Sequence, residues 1–172
     1  HLLGTDNMGR DIFARIVYGS RSIFTVALLT SMLSTLMGVI LGFTAGYFGG
    51  KVDSVFLRAM DIMMAIPPLV LSMVVLGILG DSNIGSLTLI VSIAFVPATA
   101  RVSRGVLLTE KNKEYVSAAR IRGESNFYIM FVEILPNTTG PIIVEATARF
   151  AYSIMTVASL GFLGVGLQPA TP

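Results

Sequence analysis

Residues 23–47 carry no charged side chain, and a helix of that length crosses a hydrocarbon core of ~30 Å. Three further apolar stretches, 62–80, 84–100 and 141–167, read as spans as well. Of the 172 residues, 53% are hydrophobic and 13% charged, whereas ordinary soluble domains carry about 25% charged residues. Too few polar side chains are present to cover a water-soluble globule. The sequence therefore predicts an all-α polytopic membrane protein with four spans, in which residues 1–22 form an extracytoplasmic segment with an interfacial helix and 101–137 a cytoplasmic loop. There is no cysteine and the one histidine is His1, so disulfides, thiolate chemistry and a Cys/His zinc site are excluded within the chain.

Taken in order, Gly4-Thr5-Asp6 and Gly9-Arg10-Asp11 supply turns and a cap. Ile12, Phe13, Ile16 and Val17 then make an apolar face opposite Arg15, as in a helix lying on a membrane surface. Asp6, Arg10 and Asp11 could contact a docked protein, but capping and local ion pairs explain the same residues. Along 23–47, Ser34, Gly38, Gly42 and Gly46 recur every four residues, a small-residue ridge that a second helix can approach closely. Gly49-Gly50 turns a short connection. Gly50-Lys51 is not a P-loop, because Ala45 and Val52 stand where that motif needs Gly and Ser or Thr. Pro67 and Pro68 should bend the second span, which either lines a pathway or merely helps packing. Residues 80–83 form a tight turn, and 84–100 returns with a bend near Pro97. In 141–167, Glu145 and Arg149 stand four apart, in the order that favours an ion pair. They mark a pathway or gate, or they neutralise one another facing the bundle.

The polar insert 101–137 carries Arg101, Arg104, Lys111, Lys113, Arg120 and Arg122. Lys51 and Arg58 fall on the same side of the membrane and Arg10, Arg15 and Arg21 on the other, so the basic bias places the insert in the cytoplasm. Within it, Tyr115, Ala118, Ala119 and Arg122 share one helical face, and Ala119 and Gly123 leave a side without bulk that invites close approach. Ser125 can cap a second helix striped by Phe127, Met130, Phe131 and Ile134, which Pro136 should end. A helix-turn-helix would use similar small and basic positions, yet the apolar flanks leave it no soluble core, so no nucleic-acid partner is expected.

Ala118, Ala119, Gly123, Leu135 and Pro136 fall at matching positions of the cytoplasmic-loop signature of ABC importer permeases, and at these residues the chain resembles that family. Ser117 stands where the general pattern has Glu, and Glu133 where it has Ile. Tyr-Val-x-Ala-Ala-Arg-x-x-Gly, together with the Gly-Thr-Asp-x-x-Gly-Arg-Asp run, resembles the dipeptide, oligopeptide and nickel branch. The resemblance implies a MetI-like helical bundle lacking one span at each end here, with the permease domain over 23–172. It also implies a non-catalytic subunit of the inner membrane that lines half a path for peptides, nickel or glutathione. The implied partners are a second permease, two nucleotide-binding ATPase subunits that hold ATP-Mg, and an extracytoplasmic solute-binding protein, with no cofactor on this chain. Its coupling residues would be Glu114, Tyr115, Ala118, Ala119, Arg120, Arg122, Gly123, Glu124, Leu135 and Pro136. An ion-driven carrier or channel is the alternative.

Overall fold

The computed structural model describes residues 3–80 and 83–166. Seven helices follow one another: α1 (Ile12–Phe48), α2 (Gly50–Met64), α3 (Pro68–Leu79), α4 (Ile84–Glu110), α5 (Glu114–Ile121), α6 (Asn126–Asn137) and α7 (Thr139–Phe162). Among the described residues α1 and α4 are each long and apolar enough to cross a membrane. The pairs α2–α3 and α6–α7, bent by 78° and 77°, bring the total to four if each bent pair is one span.

The expected surface helix and first span are a single element. Asp11 caps α1, its carboxylate accepting from the Phe13 amide at 2.9 Å, and the helix then runs through Gly19-Ser20-Arg21-Ser22 without a break. Hydroxyls along this stretch bond back to carbonyls of the helix and do not cap a turn, Ser20 Oγ to the Val17 carbonyl at 2.9 Å and Thr25 Oγ1 to the Arg21 carbonyl at 2.8 Å. At 37 residues, α1 is about 55 Å long, well beyond a hydrocarbon core of ~30 Å.

The ridge packs on α4. A Cβ on Gly38 would sit 2.7 Å from the Thr99 side chain, one on Gly42 would collide with the Ala100 carbonyl oxygen, and one on Gly46 would meet Leu107 Cδ2 at 2.9 Å. Ser34 is fully buried in the same seam. Hydroxyls add cross-links that matter where water is absent: Ser31 Oγ donates to the Ala146 carbonyl of α7 at 2.7 Å. Two apolar clusters result, one at each end of the bundle. Val26, Leu76, Leu87, Val91, Val157 and Leu160 close one end; Phe43, Leu107, Val116, Ala119, Ile129 and Ile134 close the other.

Three further expectations change. The connection after Gly49 and Gly50, both at positive φ, is the helix α2, since nothing breaks the chain until Pro67. The two prolines do more than curve a helix: they interrupt it between α2 and α3 with a bend of 78°, Pro67 being extended (ψ 134°) and α3 starting at Pro68. Helix α4 passes through the buried Pro97 and continues to Glu110, taking up the first ten residues assigned to the insert. The turn residues Asp81 and Ser82, and the chain from Leu167 onward, lie outside the described residues.

Candidate functional site

Helices α5 and α6 form a foot at the end of the bundle where α1 and α4 finish. Glu110, at the last turn of α4, accepts from Tyr115 Oη at 2.9 Å and from Lys113 Nζ at 2.7 Å, which fixes the turn into α5. Burial pushes the Tyr115 phenol up to about 12, and the Glu110 carboxylate beside it adds to the rise. Lys111 Nζ reaches the Gly46 carbonyl of α1 at 2.8 Å, satisfying an acceptor near that helix end. Arg104 holds Asp53 of α2, and Arg101 pairs with Asp61 further along it. Tyr47 of α1 donates to Asn126 of α6 at 3.0 Å while Arg120 lies over the Tyr47 ring. The foot is thus strapped to α1 and α4, and α4 in turn to α2.

The face of α5 open to solvent is not the one the sequence suggested. Ala119 is fully buried with Val116 against Phe43, Leu107 and Ile129 of this chain, so its small side chain lets α5 approach its own bundle and offers nothing to a visitor. Glu114, Ser117, Ala118 and Ile121 point outward. Ile121, 88% exposed, was missed because an apolar residue ending a short helix reads as core. Gly123 turns the chain at φ +80°, and nothing lies within 4 Å of where its Cβ would be. Its φ is one that glycine adopts at no steric cost, and no part of this chain fills the space beside it. Arg122 bonds Glu133 at 2.6 Å and lies 3.7 Å from Glu124, bracing α5 on α6.

Ser125 Oγ caps α6 by accepting from the Tyr128 amide at 3.3 Å. The expected single stripe is interrupted, because a π-turn over Ile129–Ile134 shifts the register. Met130 and Ile134 are buried, Phe131 stacks on Phe43, and Phe127 is 69% exposed. Pro136 does not stop the helix. It falls in the last helical turn beside half-buried Leu135, and the break comes at Thr138 (φ −113°).

A second feature lies within the bundle. Pro67, Pro68, Leu69, Phe95, Arg149, Tyr152 and Thr156 line a cleft of about 340 Å³, so the proline break and Arg149 meet at one place. Arg149 Nε and Glu145 Oε1 stand 2.8 Å apart, with side chains only 16% and 13% exposed. Neither atom achieves hydrogen-bond geometry, so theirs is a charge contact without alignment. The guanidinium also lies 5.6 Å from the Phe95 ring centre and 5.1 Å from that of Tyr152. Tyr152 stands three residues on from Arg149 along α7, within reach by helical spacing, whereas Phe95 comes from α4 and could not be paired with it from the sequence. Among the described residues no cluster of His, Cys, Asp or Glu could hold a metal ion.

Helices of bilayer length, bent pairs packed beside them, and a helical foot at one end define an integral membrane protein of the helical-bundle class. Residues 38–172 match the family described as the binding-protein-dependent transport system inner membrane component, and the chain belongs to that family. It is 40% identical over 172 residues to a dipeptide transport system permease protein of Haemophilus influenzae, covering 100% of this chain and 58% of that protein. Similarity is as close, 41% over 172 residues, to an oligopeptide transport system permease protein of Lactococcus lactis subsp. cremoris, 58% of which is covered. A glutathione transport system permease protein of Pectobacterium atrosepticum is 38% identical over 172 residues, with 57% of it covered. The chain therefore spans a little over half the length of these relatives.

Proposed function

We propose that this chain is the core of a multi-pass permease subunit of an ABC importer in the inner membrane, forming half of a path for short peptides or a related small solute. The observation that carries the reading is the foot: a short helix strapped to α1 and α4 yet presenting Glu114, Ser117, Ala118 and the 88%-exposed Ile121 outward. An apolar side chain held out on a braced mount is what the anchor of a docking surface requires. Relatives named as dipeptide, oligopeptide and glutathione permeases support the solute class.

In this reading the foot lies in the cytoplasm and seats in a cleft of an ATPase subunit, with Arg120, Arg122 and Glu124 as rim charges. Two such ATPases bind ATP-Mg and do the hydrolysis; this chain is non-catalytic and carries no cofactor. A second permease completes the path, and a binding protein delivers solute on the side of residues 1–22. Because Lys111, Tyr115 and Tyr47 tie the foot to α1 and α4, movement of the ATPase is passed to the bundle as a rigid-body displacement.

The test uses the full-length permease co-expressed with its ATPase. Ile121→Asp and Ala118→Trp should abolish co-purification and solute-dependent ATP hydrolysis. Retention of both by these two variants would overturn the docking assignment.

A further inference from the structure

The Arg149 cleft is more than a packing defect. A purely structural ion pair in a helix bundle is expected to satisfy its own donors and acceptors, because unpaired polar atoms are costly away from water. Here Arg149 Nε touches Glu145 without an aligned hydrogen bond. The guanidinium rests instead against the Phe95 and Tyr152 rings, at the edge of a 340 Å³ cleft. That volume lies within the range of small-molecule sites. Other clefts of the bundle, such as that lined by Ile62, Met63, Ile66, Leu71, Val75 and Ile90, have apolar walls. The opposite rim of the Arg149 cleft is the Pro67-Pro68 break, where backbone leaves the helical state.

We infer that Arg149 is a specificity-determining residue that binds the free carboxylate of the passing solute, in exchange for Glu145, which contacts it one turn away on α7 and does not itself line the cleft. Charge balance selects the ligand class. The Glu145–Arg149 pair is neutral, so a zwitterion can exchange partners with it and add no net charge to a low-dielectric site, whereas a solute with one terminus blocked leaves a charge unmatched. The planar fork of arginine suits bidentate carboxylate recognition, and the flanking rings hold that plane without competing for its donors. The favoured solutes are short peptides with both ends free. This inference rests on the chain forming part of a solute path.

The experiment uses the complete importer in vesicles and measures ATP-driven uptake of radiolabelled dialanine and of its C-terminal amide from one mixture. Comparing the preference of each variant with that of the wild type cancels the selectivity of the delivering protein, which is common to both. Arg149→Gln should lower the preference for the free acid about tenfold, the worth of one charge-assisted hydrogen bond. Exchanging the two residues, Glu145→Arg with Arg149→Glu, keeps an ion pair but should leave the preference lost. Arg149→Lys keeps the charge without the fork and should lose part of the preference, which secures the test if the glutamine variant does not assemble. An exchanged pair with wild-type preference, or an Arg149→Gln or Arg149→Lys importer that still discriminates fully, would overturn the inference. Wild-type vesicles that accumulate neither peptide would instead remove the solute-path reading, and the inference with it.

Discussion

Arg104 and Asp53 meet two atoms to two, Nε to Oδ1 and Nη2 to Oδ2, each at 2.5 Å, and so fasten the foot of α4 to the first turn of α2. Their side chains are 21% and 17% exposed, which puts the pair between a screened surface contact and a buried one. Asp53→Asn should destabilise the protein by about 1–3 kcal/mol, and Arg104→Gln by a similar amount. In a double-mutant cycle of thermal unfolding in detergent, the double variant should be less destabilised than the sum of the two. Strict additivity would show that the pair is not coupled.

Gly42 has no room for a side chain, because the obstacle is the backbone carbonyl of Ala100, which cannot rotate away. Gly42→Leu should therefore separate α1 from α4 and lower stability by about 3 kcal/mol or more. Gly46→Ala should cost less, since the atom it meets is the mobile end of Leu107. Gly19→Ala, with nothing within 4 Å, should be neutral or stabilise by about 0.5 kcal/mol through helix propensity. Unfolding midpoints of the three variants rank the positions; equal effects at 42 and 19 would contradict the seam.

Gly123 presents the opposite case, open space with a left-handed backbone. Gly123→Ala should cost about 1–2 kcal/mol, and Gly123→Asn less, because asparagine tolerates that conformation. Amide exchange in the α5–α6 turn should quicken in the alanine variant while α1 is unaffected.

Tyr115 should ionise late. Its phenol, with an ordinary value of 10.0, is raised to about 12 by burial and by its bond to Glu110. The protonated form is thus favoured in the folded state. Its contribution to stability is fully present below pH ~10 and is lost as pH rises through about 12. An ultraviolet titration should show one tyrosine ionising near pH 12 that disappears in Tyr115→Phe. A variant trace identical to the wild type up to pH 12 would show that Tyr115 is not that residue.

Helical periodicity identifies side chains that share a face, but not which face its neighbours cover, and the candidate site shows both halves of that rule. The ridge at Ser34, Gly38, Gly42 and Gly46 could be read because small residues at every fourth position have one obvious use. Ala119 was misplaced because a small side chain serves equally for a partner and for the chain's own bundle, and only Phe43 and Leu107, distant in sequence, decide between them. The unbroken α1 was obscured by Ser20, Arg21 and Ser22, polar residues that resemble a loop although Ser20 Oγ bonds back to Val17 within the helix. Pro136 looked terminal, and the helix runs only one residue past it, to Asn137, before the break at Thr138. The Glu145–Arg149 spacing, with Tyr152 three residues further on, was legible locally; Phe95 and the proline rim are tertiary facts.

The uninterrupted α1 has a mechanical corollary. A rod of about 55 Å, tilted by only 5° about one end, moves the other end by roughly 5 Å. Both watery faces of the membrane are therefore joined by one stiff strut, and a nudge at Tyr47 can be felt beside Asp6 with no relay of side chains between them.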